Sequence, residues 1–161
     1  MKILYYDALK DEEAERELNA RKVTLDELLS ESDFISVNLP LDPTTKGLLQ
    51  EREFRSMKRT AYIINLARGP IWNEKVLYTV LKEGRIAGAG ADVYEVEPAS
   101  KDHPLFHLEN FIGTPHMAAH TEEALRRMSY VAEDIVRVLE GKKPLHPVNR
   151  PQPLGCPSIL S

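Results

Sequence analysis

The stretch AYIINLARGP, Ala61 to Pro70, decides the fold class of this chain. Its first six residues form a short run that is nearly all apolar, which predicts a β-strand. A strand with apolar residues on both faces is typical of a parallel sheet that is covered on both sides. Arg68 and Gly69 follow this strand directly, so a charged residue is expected at the point where the strand ends.

Outside this stretch, strand patterns alternate with helix patterns in both directions. Asn73 is placed as the N-cap of the next helix, and Gly84 as its C-terminal stop. Thr24 is placed as the N-cap of an earlier helix that contains Leu25, Leu28 and Leu29. Such alternation predicts an α/β fold, a doubly wound parallel sheet whose strands are joined by crossover helices. The predicted strands are residues 3–6, 34–39, 61–66, 86–93 and 111–115, and the predicted helices are residues 11–20, 25–29, 51–57, 73–84 and 124–139.

The length of 161 residues suits one domain with a single core. We expect residues 1–146 to form that domain and to end with one long helix, because apolar residues recur every three or four positions from Ala124 to Leu139. Residues 147–161 are rich in proline and have no periodicity, so this tail is predicted to be disordered.

The composition is that of an ordinary globular protein. Hydrophobic residues make up 42% of the chain and charged residues 29%, and the net charge is -4. Because no basic face is concentrated anywhere, nucleic acid is not expected as a partner. Membrane insertion is not expected either, since no apolar run approaches the roughly 18 residues of a membrane span and no signal-peptide pattern follows Met1. A cytoplasmic protein is therefore expected.

The cysteine and histidine patterns predict no metal site. Cys156 is the only cysteine, which excludes an intrachain disulfide and a metal site built from cysteines. His116 and His120 are four residues apart, a spacing that would suit zinc on a helix. Pro115 and the small residues between the two histidines favour a turn instead.

Polar residues follow the predicted strands where the strands end. Asp7, Arg68, Asp92 and His116 each close a strand, and Glu97 lies in the loop after Asp92. Ligands of an open parallel sheet bind at the carboxyl ends of its strands. Each residue alone has an ordinary explanation, as a cap, a surface ion pair or a core histidine. Their coincidence at successive strand ends favours a functional site.

These residue types have complementary chemistry. Arg68 can bind a carboxylate through two parallel hydrogen bonds, and His116 can give or take the proton of a hydroxyl near neutral pH. Glu97, if it reaches the other ring nitrogen, would fix the imidazole tautomer and raise its pKa. The set suits a 2-oxo or 2-hydroxy acid as substrate. Because no side chain accepts hydride, the redox chemistry would require a cofactor.

Three long motifs carry a resemblance to a known family. They are TLDELLSESDFISVNLPLDPTT, MKRTAYIINLARGPIWNEKVLYTVLKEGRIAGAGADVYEVEP and HPLFHLENFIGTPHMAAHTEEA, residues 24–45, 57–98 and 103–124. In their order and spacing they resemble the D-isomer-specific 2-hydroxyacid dehydrogenases, which include phosphoglycerate dehydrogenases and glyoxylate or hydroxypyruvate reductases. The resemblance implies a Rossmann-like NAD-binding domain and hydride transfer between nicotinamide and a small 2-hydroxy or 2-oxo acid.

The resemblance also implies roles for individual residues. Arg68 matches the arginine that binds the substrate carboxylate, His116 the general acid/base and Glu97 its acidic partner. Asp7 matches the acidic residue that binds the adenosine ribose hydroxyls, which favours NAD over NADP. The full set implied to contact the cofactor is Asp7, Leu39, Pro40, Ala67, Arg68, Asp92, His116 and Ala118, with Leu39 and Pro40 on the adenine side.

The chain also departs from the family pattern. Family members are roughly twice as long and have a G-x-G-x-x-G segment after a first strand, to hold the pyrophosphate at a helix N-terminus. The chain contains no such segment, so we expect a partial domain, a truncated part of the enzyme that is inactive by itself. A non-catalytic nucleotide-sensing or protein-interaction module that retains the site residues is the alternative. Apolar surface left uncovered by the shortened sheet predicts a homo-oligomer.

Overall fold

The computed structural model of the chain describes residues 1–148. The predicted tail, residues 147–161, lies almost entirely outside the described residues. The strands are β1 (Leu4–Tyr5), β2 (Arg21–Lys22), β3 (Phe34–Val37), β4 (Tyr62–Asn65), β5 (Gly88–Ala91) and β6 (Phe111–Gly113). The α-helices are α1 (Glu12–Leu18), α2 (Leu25–Glu31), α3 (Glu51–Ser56), α4 (Glu74–Lys82), α5 (Glu122–Ser129) and α6 (Val131–Leu139).

The strand pairing confirms the predicted α/β class with a parallel sheet. Strands β3, β4, β5 and β6 form one four-stranded sheet in that order, and every neighbouring pair is parallel. Strands β1 and β2 form a second, two-stranded parallel sheet. A cavity of about 340 Å³ lined by β1 and β3 lies between the two sheets. This arrangement is the one expected of a doubly wound sheet that lacks its first strand.

Strand β4 is covered less completely than its sequence predicts. Ile63 and Asn65 are fully buried on one face. On the other face Tyr62 is 45% exposed and stacks on Phe34, with ring centroids 5.6 Å apart. Tyr62 therefore packs against an aromatic neighbour in the next strand instead of beneath a helix. The expectation of burial on both faces is wrong for this part of the strand.

The predicted helix ends around β4 are confirmed. The Asn73 side chain accepts hydrogen bonds from the Lys75 and Val76 N–H groups in the first turn of α4. Gly84 follows the helix with a φ of +62°, a conformation that glycine adopts without strain. The Thr24 side chain caps α2 by accepting from the Glu27 N–H. These local bonds need only the residues at each helix end, so the sequence pattern was sufficient to find them.

The single long helix predicted from Ala124 to Leu139 is wrong, because two helices, α5 and α6, occupy these residues. The helices meet at Tyr130, whose N–H bonds to the carbonyl of Arg127, three residues back, instead of four. The Ser129 hydroxyl also donates to a backbone carbonyl, that of Arg126. Such tightened bonds interrupt an α-helix without changing its apolar spacing.

The chain divides into two compact units, Met1–Ala118 and a second that begins at Ala119. The first contains both sheets and the core, with Leu29, Phe54 and Leu77 fully buried. The second contains α5 and α6, in which no residue is buried. Over the part of the chain that the structure describes, no helix is long and apolar enough to cross a membrane.

Candidate active site

Arg68 directly follows β4, and its position is set by a buried amide. The Asn65 side chain is inaccessible to solvent; its Nδ2 donates to the Arg68 carbonyl at 3.0 Å, and its Oδ1 accepts from the Ala67 N–H at 3.0 Å. These two bonds close the turn between the strand and Arg68. The Arg68 guanidinium in turn donates through Nη1 to the Ala67 carbonyl at 2.7 Å, which restricts the orientation of the planar group.

Gly69 brings the Arg68 segment into contact with the loop after β5. A Cβ atom at Gly69 would lie 1.9 Å from the carbonyl carbon of Tyr94 and 2.4 Å from the nitrogen of Glu95. Real Cβ atoms do not approach other atoms this closely, so a side chain at position 69 would displace the loop. The contact matters because this loop carries Glu97.

Glu97 and His116 form a direct hydrogen bond. The Glu97 Oε2 lies 2.7 Å from the His116 Nδ1, and the Glu97 Oε1 accepts from the Tyr94 N–H at 3.0 Å. The hydrogen bond to His116 lowers the pKa of the Glu97 carboxyl, and the Tyr94 N–H and the charges of His116 and Arg68 lower it further. Because an ionised carboxylate only accepts hydrogen bonds, the His116 Nδ1 carries the proton, and its Nε2 points away from Glu97.

His116 adopts an unusual backbone conformation. Its φ is +54°, in the left-handed region that residues other than glycine rarely adopt. Such conformations persist where the surrounding structure enforces them and are enriched at functional sites. His116 therefore lies in a turn and not in a helix, which is what the sequence predicts from Pro115 and the small residues that follow.

Asp92 enforces this turn from the end of β5. Its carboxylate accepts hydrogen bonds from the Thr114 hydroxyl, from the Met117 N–H at 2.8 Å and from the Ala118 N–H at 2.7 Å. Only 1% of Asp92 is exposed. Burial raises the pKa of its carboxyl, but the three hydrogen bonds and the charge of His116 outweigh that effect and lower the pKa below its usual value.

We expect Asp92→Asn to destabilise the chain by about 1–3 kcal/mol, because the new amide hydrogens would face the N–H groups that now donate to the carboxylate.

The sign of the pH dependence of this contribution follows from the lowered pKa of Asp92. The contribution of Asp92 is complete above the usual aspartate pKa of about 3.9 and is lost as the pH falls through the folded-state pKa.

Thermal unfolding of both proteins between about pH 7 and pH 3 tests this prediction, since the difference between them isolates the one carboxyl. The difference in stability should shrink at the acid end. A difference that stays constant or grows as the pH falls would contradict the assignment.

All the predicted site residues except Asp92 and Ala118 line at least one of three cavities. Glu97 and His116 share one of about 560 Å³ that Tyr94, Phe106 and Lys101 also line. Arg68 lines a second of about 530 Å³. Although Arg68 faces a different cavity, its charge reaches the Glu97 carboxyl. The second cavity groups four residues predicted to contact the cofactor, namely Leu39, Pro40, Ala67 and Arg68.

The third cavity, between β1 and β3, contains the residue predicted to bind the adenosine ribose hydroxyls. Asp7 and Leu39 both line it. The Asp7 Oδ1 accepts from the Leu9 N–H at 2.9 Å, which anchors the carboxylate at the strand end. A carboxylate fixed there has the acceptors that a pair of ribose hydroxyls requires.

The described residues do not include a cradle for the pyrophosphate. The glycines of GAGAD, residues 88–92, do not form such a loop before a helix. Gly88 and Gly90 lie within β5, inside the strand that the sequence predicts over residues 86–93. Over residues 1–148, no group of three or more His, Cys, Asp and Glu side chains is arranged to hold a metal ion.

Sequence reasoning missed several residues that build the site. Asn65 and Thr114 were not singled out, and Gly69 was noted only as the residue after Arg68. Gly69 and Thr114 act on segments that are distant in sequence, whereas Asn65 bonds within its own turn to Ala67 and Arg68. One signal was available, since Gly69 directly follows Arg68 and glycine often marks a close backbone approach.

A family model described as D-isomer specific 2-hydroxyacid dehydrogenase, NAD binding domain, matches residues 1–118. A glyoxylate reductase of Korarchaeum cryptofilum is 45% identical over 151 residues, which are 93% of this chain and 46% of the relative. A D-3-phosphoglycerate dehydrogenase of Archaeoglobus fulgidus is 40% identical over 152 residues, 94% of this chain and 29% of that relative.

A solved structure is also similar to this chain. The crystal structure of D-lactate dehydrogenase with NAD+ from Lactobacillus jensenii is 28% identical and superposes with a TM-score of 0.83. The match covers 92% of this chain and 48% of that one. The chain thus spans less than half the length of each of these three proteins.

Proposed function

Because the chain belongs to the D-isomer-specific 2-hydroxyacid dehydrogenase family and matches its NAD-binding domain over residues 1–118, we propose that it supplies the acid/base and carboxylate-binding residues of an NAD-dependent 2-hydroxyacid dehydrogenase. The observation that carries the proposal is the 2.7 Å contact between Glu97 Oε2 and His116 Nδ1. The substrate would be a small 2-oxo or 2-hydroxy acid of the glyoxylate, hydroxypyruvate or phosphoglycerate type, since relatives are named glyoxylate reductase and D-3-phosphoglycerate dehydrogenase.

His116 would move the proton. With Nδ1–H held by Glu97, the protonated Nε2 donates to the carbonyl oxygen of a 2-oxo acid as that oxygen becomes a hydroxyl. In the oxidative direction the neutral Nε2 accepts the hydroxyl proton. In both directions the Glu97 carboxylate holds the ring through Nδ1, so Nε2 is the nitrogen that gives or takes the proton.

Arg68 would hold the substrate carboxylate through two parallel hydrogen bonds, which lysine could not form with the same geometry. This fixes the angle at which the reacting carbon meets the His116 ring and removes much of the entropic cost of the encounter. The bond from Nη1 to the Ala67 carbonyl supports this role by restricting the guanidinium before substrate arrives.

NAD, when bound, supplies the hydride chemistry. Asp7 would accept from its ribose hydroxyls and disfavour a phosphate there, which selects NAD over NADP. Leu39 and Pro40 would contact the adenine side. The nicotinamide side would be held near Ala67, Arg68, Asp92, His116 and Ala118.

The non-catalytic alternative is not favoured, because the relatives are named for reductase and dehydrogenase activity. The homo-oligomeric state and the cytoplasmic location expected from the sequence stay predictions.

A chimera tests the proposed function. The matched C-terminal part of the Korarchaeum cryptofilum glyoxylate reductase is replaced by this chain, so that the relative supplies the remaining length. We expect this protein to oxidise NADH when glyoxylate or hydroxypyruvate is added. The decrease in NADH absorbance measures turnover.

The unmodified relative and this chain alone serve as controls. NADH binding to the chimera, followed by fluorescence, separates a folding failure from a chemical one. A chimera that binds NADH yet reduces no 2-oxo acid would overturn the proposal.

A further inference from the structure

A second cluster of titratable side chains lies beside the loop that carries Glu97. We call Glu74, Glu95 and His103 the Glu74 cluster. The Glu74 Oε1 accepts from the Glu95 N–H at 2.7 Å, and the Glu95 Oε1 accepts from the Glu74 N–H at 3.2 Å. The other oxygen of Glu74, Oε2, lies 3.1 Å from the His103 Nε2. Both oxygens of the Glu74 carboxylate are therefore engaged.

The Glu74 cluster joins three segments that are distant in sequence. Glu74 is the first residue of α4, Glu95 lies in the loop after β5, and His103 precedes the short 3-10 helix Pro104–His107. The side chains of Glu74 and His103 are only 12% and 17% exposed. Water competes less for such shielded bonds than for a surface ion pair. The loop is thus tied to two neighbouring elements at once.

The loop passes this restraint on to Glu97 through successive peptide groups. The Glu95 N–H is held by Glu74, and the preceding N–H, that of Tyr94, donates to the Glu97 Oε1 at 3.0 Å. The other oxygen of Glu97 bonds to His116. A movement of the Glu95 backbone would therefore move the donor that orients the Glu97 carboxylate.

Several negatively charged side chains lie near this loop. Burial raises the pKa of Tyr94 to about 12, and the negative charges of Asp92, Glu74 and Glu97 contribute to this rise in a smaller measure. Several carboxylates thus surround one short loop, and like charges at close range repel each other. The hydrogen bonds from the Tyr94 and Glu95 N–H groups to carboxylates offset this repulsion and help to hold the loop in place.

We propose that Glu74 is a positioning residue for the Glu97–His116 pair, acting through the Glu95 N–H to hold the loop that presents Glu97. His103 contacts the other oxygen of the Glu74 carboxylate and so helps to fix its orientation. The inference rests on the proposed function, in which Glu97 orients His116, and it adds a residue two hydrogen bonds away from that pair.

Glu74→Asp in the 15N-labelled chain, without cofactor or substrate, tests the inference. Aspartate keeps the negative charge at the start of α4, where the helix dipole favours it, but is one methylene too short to reach the loop. At about pH 8, where an ordinary histidine is neutral, the ring nitrogen shifts of His116 report its tautomer. We expect the ratio of Nδ1–H to Nε2–H tautomer to fall roughly fivefold, and the Tyr94 amide to exchange its hydrogen roughly fivefold faster, as for one net hydrogen bond lost.

Two further variants separate positioning from general destabilisation. Glu51 is the first residue of α3, as Glu74 is of α4, and its side chain pairs with Arg55. Glu51→Asp is therefore the matched control and should leave both readouts unchanged. Glu74→Gln keeps the length and one oxygen for the Glu95 N–H, so it should retain most of the wild-type tautomer ratio.

The inference is overturned if Glu74→Asp leaves the His116 tautomer and the Tyr94 exchange rate unchanged, or if Glu51→Asp alters them equally. A Glu74→Gln variant that behaves like Glu74→Asp would also overturn it, because an acceptor of the full side-chain length would then not be sufficient to hold the loop. These readouts need no turnover, so an inactive chimera would refute the proposed function and leave this result standing.

Discussion

Replacing His116 with asparagine is expected to lower kcat of the glyoxylate reductase chimera by about 10²–10⁴-fold, the range for loss of a positioned general acid/base. Asparagine tolerates the left-handed conformation that His116 adopts, with φ of +54°, so the turn should survive the substitution. The amide can hydrogen-bond Glu97 but cannot exchange a proton near neutral pH. Initial rates with saturating glyoxylate and NADH measure the effect.

His107→Asn is the matched control, because His107 lies at the end of the short 3-10 helix and outside the cavity shared by Glu97 and His116. Its kcat should stay within about threefold of the parent, since surface substitutions rarely exceed about 0.5 kcal/mol. A kcat of the His116→Asn chimera within tenfold of the parent would show that His116 is not the general acid/base.

The same substitution has a consequence in this chain alone. The hydrogen bond from His116 is the largest influence on the Glu97 carboxyl and lowers its pKa. In His116→Asn a neutral amide can offer Glu97 only a weaker hydrogen bond and the charge of His116 is lost, so that pKa should rise toward the usual glutamate value of about 4.3. A carboxyl 13C titration checks this, and an unchanged Glu97 pKa would contradict the pairing.

Gly69→Ala is expected to cost about 3 kcal/mol or more in the free energy of unfolding, the upper range for forcing atoms into a packed region. The added Cβ would lie 1.9 Å from the Tyr94 carbonyl carbon, which is backbone and cannot rotate away. Either the Arg68 segment or the loop must move. Urea unfolding of this chain measures the cost.

Gly90→Ala provides the control, because the nearest atom to its new Cβ lies at 3.6 Å, an ordinary contact. It should change stability by less than about 1 kcal/mol. If Gly69→Ala lost no more stability than Gly90→Ala, the close approach would be wrong. Amide shifts of Glu95 and Glu97 in Gly69→Ala should move as well, since the displaced loop carries both residues.

The sequence predicted the elements whose causes are local. Caps at Thr24 and Asn73 need only the first turn of their helices, and the apolar runs that became β3, β4, β5 and β6 alternate with helical spacing along the chain. Strand β2 was missed, because Arg21 and Lys22 form a strand of two exposed polar residues with no hydrophobic pattern. The break at Tyr130 was missed for a related reason, since one tightened hydrogen bond leaves the apolar repeat intact.

The sequence by itself determined the parallel α/β class and the kinds of side chain that follow its strands, because alternation and strand ends are written in consecutive residues. Only the tertiary structure decided that Glu97 bonds to His116, that Gly69 abuts the Tyr94 peptide and that Glu74 holds the same loop. The partners in these three contacts are 19, 25 and 21 residues apart, in that order. Their approach depends on how the crossover helices place the strands side by side. Distance along the chain carries no information about such contacts until the sheet order is fixed.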